Sequence, residues 1–325
     1  MVSYIVRRFG QMIVTVFVIS MIAFFVIQLP PGDFVTSYVS SIASGDRITQ
    51  DAILALRAQF GLDDPMIVQY FRWITNVLHG NFGLSFQLQR TAADLLAERL
   101  PLTLAITIPT TIFVYMVAIP LGIYSAVKQY SVGDYVFTFI GFIGLAIPNF
   151  LLAIVLVYFS TRYFDGSVGG LFSPAPEHAP WSVGKVMDMS RNVGLAILII
   201  GTSGTAATMR VMRGMLLDEL SQAYVETARA KGLSEWRLIM KYPVRVAISP
   251  VLSTVGFMLP AMISGTEITA TVLNLPTTGP LLLNAVRSQD MFLAASIILI
   301  LSVLTVIGTF LSDVLLVWAD PRIKL

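Results

Sequence analysis

Charge is what this sequence has least of. Asp, Glu, Lys and Arg make up 12% of its 325 residues, while hydrophobic residues reach 56% and mean hydropathy is +0.78. A soluble domain carries roughly 25% charged residues, so this chain has too little polar side chain to cover a water-facing surface. The solvent it is built for is a membrane. Cysteine is absent, which excludes disulfides, thiolate metal sites and cysteine nucleophiles. The two histidines, His79 and His178, lie far apart and give no basis for a metal centre. A net charge of +2 makes no electrostatic case for nucleic acid. No Gly-x-x-x-x-Gly-Lys-Ser/Thr segment occurs, so the chain has no such loop with which to bind ATP by itself.

Apolar runs are what is there instead. A helix needs about 20 apolar residues to cross a ~30 Å hydrocarbon core, and six stretches qualify: 9–29, 102–126, 135–160, a less hydrophobic one at 193–209, 251–273 and 292–318. Each must be helical, because lipid offers no partner for an unpaired backbone amide. The first opens after Arg7-Arg8 like a signal peptide, but it is long and no small-x-small cleavage pattern closes it. It is read as a retained helix. The expectation is an all-α polytopic membrane protein with six transmembrane helices. Residues 1–29 hold the N-terminus and first span, 30–101 a sizeable region outside the bilayer, and 102–325 the remaining five spans.

Orientation follows from the basic residues. With the N-terminus cytoplasmic, the inside segments hold Arg7, Arg8, Lys128, Arg210, Arg213, Arg229, Lys231, Arg237, Lys241, Arg245, Arg322 and Lys324, more than half of the 21. Both termini are therefore expected inside. The outside region carries an amphipathic pattern at Ile53, Leu54, Leu56 and Phe60, and another at Ile67, Phe71, Ile74, Val77 and Leu78. That spacing predicts two short helices lying against the membrane or the bundle, joined at Gly61-Leu62-Asp63-Asp64-Pro65.

The longest cytoplasmic loop, residues 210–250, carries the strongest local signal. Residues 215 to 231 are good helix formers. Gly232 can supply the left-handed residue that ends a helix, and Ser234 can cap a second one, with Glu235 in its first turn. Pro243 and Pro250 break the chain before the fifth span. The product is helix, sharp turn, helix. Tyr224, Leu233, Trp236, Ile239 and Met240 are apolar or aromatic where a solvated loop need not be, which is the composition of an interface. A loop folded back on the membrane, with Trp236 as interfacial anchor, fits the same spacing.

This loop resembles that of the permease subunits of binding-protein-dependent ABC importers, whose motif is Glu-Ala-Ala, three residues, Gly. Here it reads Glu226-Thr227-Ala228, then Arg229-Ala230-Lys231, then Gly232-Leu233. The Thr-Ala-Arg-Ala-Lys-Gly-Leu run is similar to the dipeptide/oligopeptide branch, and Arg245, Ala247 and Pro250 fall where that branch places them. Tyr242 and Val246 depart from its usual His and Asn. Further matches run in order: Pro31-Gly32-Asp33, Gly61-Leu62-Asp63, Gly80-Asn81-Phe82-Gly83, Arg99-Leu100-Pro101, Pro120-Leu121-Gly122, Pro148-Asn149-Phe150 and Asp320-Pro321-Arg322. The resemblance implies a bacterial inner-membrane subunit forming half of a translocation path for peptides or related solutes such as oligosaccharides. It also implies a second homologous permease, two ATPase subunits that bind ATP and Mg, and an external solute-binding protein. In that frame Glu226 to Leu233 and Trp236 form a coupling helix and turn docked to an ATPase; this chain is no enzyme and binds no cofactor itself.

Two acids fall inside the expected spans, Glu267 and Asp313. Intramembrane charge is costly and usually faces a cavity or a partner. Glu267, with Thr266 and the helix-interrupting Pro260, is the expected lining or gate of the path; a packed, hydrogen-bonded residue is the plainer alternative. The family's acid commonly sits where this chain has Ala270, and Thr277-Thr278 also departs from its pattern. Asp313 is expected to be solvated. Pro109, Pro120 and Pro148 can kink their helices. An ion-coupled secondary transporter is the alternative function; it predicts inverted repeats and several coupling acids.

Overall fold

A computed structural model of the chain describes residues 2–29, 63–85, 87–163, 170, 183–255 and 266–319. Among the described residues every regular element is a helix: α1 (Val2–Gln28), α2 (Met66–Leu78), α3 (Ala92–Val127), α4 (Val132–Ala146), α5 (Asn149–Tyr163), α6 (Val183–Leu220), α7 (Ala223–Ala230), α8 (Glu235–Lys241), α9 (Pro243–Ser253), α10 (Glu267–Val272), α11 (Thr278–Arg287) and α12 (Met291–Ala319). Four of them are long and apolar enough to cross a membrane: α1 over Arg7–Gln28, α3, α6 over Asn192–Leu220 and α12 over Met291–Asp313. A fifth candidate is the pair α4 and α5, bent by 98°.

The all-α reading holds, with differences in detail. The stretch 135–160 is two helices, not one. Ile147 is extended (φ −90°, ψ 117°) and Pro148 follows it; proline drives the residue before it out of the helical region. Pro109 and Pro120 do not interrupt α3, and Pro250 lies inside α9. The helix expected at 193–209 continues to Leu220. The span expected at 251–273 falls partly on residues 256–265, outside the described ones, as do Pro260 and the first amphipathic segment around Ile53–Phe60. Asp313 is half-buried instead of solvated.

The chain divides into two compact units. The first comprises Met1–Thr103 and Pro276–Val306. Its α2 packs on α1 and α12 through Phe24, Tyr70, Trp73, Ala295 and Leu299, all buried. A second apolar cluster joins Ala92, Leu95 and Leu96 of α3 to Leu281 and Ala285 of α11 and Leu293 and Ile297 of α12. Asp290, fully buried at the start of α12, accepts from the Ser85 hydroxyl (2.6 Å) and from the amides of Gln87 (3.3 Å) and Leu293 (3.4 Å). Buried acids need such donors, and this one ties the segment before α3 to α12.

The second unit comprises Leu104–Leu275 and Ile307–Leu325. Its long axis is α6, 38 residues without a proline. At Gly122, α3 and α6 nearly touch: an added Cβ would lie 2.7 Å from Met212 Cβ and 2.9 Å from the Met209 carbonyl oxygen. Asn149 Nδ2 donates to the Ile200 carbonyl (3.3 Å) and to Ser203 Oγ (3.1 Å), fixing the start of α5 on α6. Ile106, Ala153, Ile199, Ala270 and Leu273 close one end of the unit's core. Ile123, Met212, Leu216, Val225, Leu238 and Val251 close another.

Candidate coupling site

The segment after α6 folds as a helical hairpin in the second unit. The single helix expected over 215–231 is split by a turn at Ser221-Gln222, because both side chains bond the Asp218 carbonyl (2.8 and 3.4 Å). That satisfies an acceptor which a continuing helix would otherwise use. After α7, Gly232 takes φ +81° and its amide bonds the Arg229 carbonyl at 3.0 Å. No atom lies within 4 Å of where its Cβ would be. Backbone conformation, not space, calls for glycine there. Ser234 occupies the N-cap position of α8 with extended geometry, but its side chain makes no capping bond. The first turn of α8 is closed by the Leu238 amide on the Ser234 carbonyl (2.9 Å).

The hairpin has two faces. Val225 and Ala228 of α7 and Leu238 and Ile239 of α8 are buried against Ile123 and Ala126 of α3, Met212 and Leu216 of α6, and Val244, Ala247 and Val251 of α9. Burial of a large aliphatic side chain stabilises by about 1.5–3 kcal/mol, so Val225, Leu238 and Ile239 hold the hairpin firmly to the helices behind it. Glu226, Thr227, Arg229, Ala230, Lys231, Gly232 and Trp236 are on the opposite, exposed face, and Leu233 is half-buried between the two. Ala228 is thus the inward member of the motif. Trp236 is 68% exposed, and Tyr224 and Met240 are exposed as well.

Charges on the exposed face are organised. The Arg229 guanidinium donates to both oxygens of Glu235 across the turn. This hydrogen bond holds the Glu235 carboxyl below its ordinary value and raises Arg229. The Tyr224 hydroxyl donates to Glu219; burial first, and the Glu219 bond second, push that phenol up.

A further polar contact stands behind the hairpin and was not legible as a pair. Arg213 on α6 meets Asp134 on α4 with two bonds, Nε to Oδ1 at 3.0 Å and Nη2 to Oδ2 at 2.9 Å. Asp134 also accepts from the Tyr130 amide (3.0 Å) and the Thr138 hydroxyl (3.2 Å). Its side chain is 4% exposed and that of Arg213 26%. The local half has a sequence signal, since Ser131 followed three residues later by an acid is a capping pattern, and Ser131 Oγ does accept the Asp134 amide at 3.2 Å. Nothing local points 79 residues on to Arg213.

Of the path candidates, Thr266 and Glu267 open the segment whose Ala270 and Leu273 pack in a different cluster, and Pro260 lies outside the described residues. Thr266 stands at the N-cap of α10, and Glu267 is half-buried in its first turn. Thr269, Ala270 and Leu273 of the same segment are buried. No residue of the hairpin joins that cluster.

Two family models match the sequence and together span most of it. Residues 118–325 match the binding-protein-dependent transport system inner membrane component, and residues 1–107 the N-terminal membrane component of the same systems. The chain belongs to this family. It is also 32% identical over 326 positions to the oligopeptide transport system permease protein AppB of Bacillus subtilis, covering 100% of both chains. Identity is 28% to the dipeptide transport system permease protein DppB of Escherichia coli K12, over 100% of this chain and 99% of the relative. It is 28% to the oligopeptide transport system permease protein OppB of Haemophilus influenzae, over 100% of both. The permease is therefore a translocation subunit of an ABC importer, not an enzyme; ATP hydrolysis lies in partner subunits, and an ion-coupled secondary transporter is not favoured.

Proposed function

We propose that this permease lines half of a peptide path and takes the ATP-driven stroke through the α7–α8 hairpin. The observation that carries the proposal is the two-faced hairpin. One face is sealed to α3, α6 and α9, and the other offers Trp236, Tyr224 and the Glu226–Lys231 backbone to a partner. A docked body that moves would carry those three helices with it, because close-packed cores transmit displacement and do not absorb it.

The rest of the assembly follows. A second, homologous permease completes the path, two ATPase subunits hold ATP and Mg, and an external binding protein delivers cargo. Peptides are favoured over oligosaccharides because the relatives' names are those of oligopeptide and dipeptide systems. The chain crosses the inner membrane six times with both termini in the cytoplasm. The fifth of these crossings is the span expected at 251–273, and residues 30–101 stand outside as a platform for the binding protein. Glu226 to Leu233 and Trp236 are the coupling residues. Glu267, Thr266 and Pro260 line the path near its outer gate.

The test is affinity purification of the tagged permease from its native membrane in mild detergent, with mass identification of partners. A second permease and ATPases bearing Walker motifs are expected with the wild type. The ATPases should be lost from Trp236→Ala while the second permease is retained. Retention of the ATPases by both Trp236→Ala and Gly232→Val would refute the hairpin as the docking site. Glu267→Gln tests the path separately: unchanged transport and unchanged substrate-stimulated ATP hydrolysis would remove Glu267 from it.

A further inference from the structure

Helix α2 has three faces. The inward one, with Gln69, Tyr70 and Trp73 buried and Val77 partly so, packs on α1 and α12. At 100° per residue, Ile67, Phe71, Ile74 and Leu78 fall together on one flank, while Arg72, Thr75, Asn76 and His79 fall on the other. Three of the four apolar residues are open, Ile67 at 62%, Phe71 at 54% and Leu78 at 81% exposure, while Ile74 packs partly on the α1–α12 cluster. On the polar flank Arg72 pairs with Asp64 at 2.7 Å. Nothing in the transport reading requires this division.

The depth of α2 is fixed by two apolar spans independently. The Tyr70 hydroxyl hydrogen-bonds the Ser20 hydroxyl at 2.8 Å, and its ring meets Phe17 and Phe24 edge-on. Ser20 is eight residues before Gln28, the end of the α1 apolar run, or about 12 Å at 1.5 Å per residue. Gln28 itself donates to Gln69 at 3.2 Å. On α12 the partners are Phe292, Ala295 and Leu299, all within the first turns of a run that begins at Met291. Both spans set α2 at one end of the apolar surface: its partners run from Gln28 back to Phe17 on α1, about 17 Å, and from Phe292 to Leu299 on α12, about 11 Å. The open flank of α1 at that end, Ile22, Val26 and Leu29, is apolar as well. A flank that continues a lipid-facing surface, opposite a charged flank, has the make-up of a helix lying in the membrane boundary.

We propose that α2 is an interfacial anchor, its Ile67, Phe71 and Leu78 flank against lipid acyl chains and its Arg72, Asn76 and His79 flank in water. Under the topology proposed above the leaflet is the outer one; in either orientation it is the leaflet at the Gln28 end of α1. The anchor holds the start of the 63–91 segment at a set height on the bilayer, where a water-exposed apolar flank would be an aggregation liability.

The absence of native cysteine permits a direct test. The variants Ile67→Cys, Phe71→Cys, Leu78→Cys, Arg72→Cys and Asn76→Cys are made singly in the full chain. Each is co-purified with its partner subunits, placed in phosphatidylcholine–phosphatidylglycerol nanodiscs and nitroxide-labelled. Oxygen, which concentrates in acyl chains, and a water-soluble nickel chelate are the collision probes. The expected ratio of oxygen to nickel accessibility is several-fold higher at 67, 71 and 78 than at 72 and 76. Equal ratios at all five positions would place the flank in water and overturn the proposal. Protection of 67, 71 and 78 from both probes would show a protein covering them, the binding protein or a second permease, and overturns it equally. Should Phe71→Cys fail to assemble, Ile67→Cys and Leu78→Cys carry the same prediction.

Discussion

Removing either partner of the Asp134–Arg213 pair should destabilise the second unit, and by unequal amounts. Exposed ion pairs contribute about 0–1 kcal/mol, whereas breaking a fully buried pair costs about 3–5 kcal/mol because a charge is stranded. Here one partner is sealed, at 4% exposure, and the other is reachable by water, at 26%. Arg213→Ala leaves the Asp134 carboxylate with only the Tyr130 amide and the Thr138 hydroxyl, and is expected to cost about 2–3 kcal/mol. Asp134→Ala leaves an arginine that can turn to solvent and a Tyr130 amide on an exposed residue, so about 1–2 kcal/mol is expected. The double variant should cost less than the two singles added, with a coupling of at least about 1 kcal/mol. Equilibrium unfolding of the purified permease in mixed micelles, read by intrinsic tryptophan fluorescence, measures all three. A coupling near zero would mean the pair behaves as a surface pair. Asp134→Ala costing more than Arg213→Ala would refute the argument from unequal burial.

Gly122→Ala should cost about 1–3 kcal/mol by overpacking, since one of the atoms its Cβ meets is the Met209 carbonyl oxygen, which no rotamer change can move; the same unfolding titration reads it. Gly232→Ala should cost about 1 kcal/mol through its positive φ alone, and Gly232→Asn less, because asparagine tolerates the left-handed region; both should leave the hairpin core intact by protease mapping. The Arg229 bond keeps Glu235 ionised below its ordinary value, so the pair's contribution is present at neutral pH and is lost as pH falls through the lowered value. ATPase retention by Glu235→Gln should therefore differ from wild type at neutral pH and converge with it in acid.

Sequence was a good guide where the physics is local. Apolar length located α1, α3, α6 and α12, and the left-handed turn at Gly232 followed from one glycine after a run of helix formers. Where two local rules compete, the residues alone do not decide between them. Proline predicts a break, yet in α3 flanking helical residues override Pro109 and Pro120, while at Ile147-Pro148 the extended residue wins and the pair α4–α5 bends by 98°. Faces were harder again. The small residue Ala228 and the large Ile239 both point into the chain's own core, whereas Trp236 points away; which of several apolar residues faces inward depends on α3, α6 and α9 arriving behind them. The Asp134–Arg213 pair is the limiting case, because its two halves meet only after α4 and α6 have packed.

The uninterrupted length of α6 has a mechanical consequence. Its 38 residues make a rod of about 57 Å at 1.5 Å per residue, longer than a bilayer's hydrocarbon core is thick. One end leads through a two-residue turn into the hairpin, and Arg213 braces it to α4 about two turns before that end. A stiff strut pivoting where it is braced converts a small angular input at the short arm into a larger excursion at the long one. A tilt of about 5° would sweep the far end by roughly 4 Å, about three quarters of the rise of a helical turn. If the hairpin takes a stroke from a docked partner, the place of the Arg213–Asp134 brace along α6 sets how far the long arm moves.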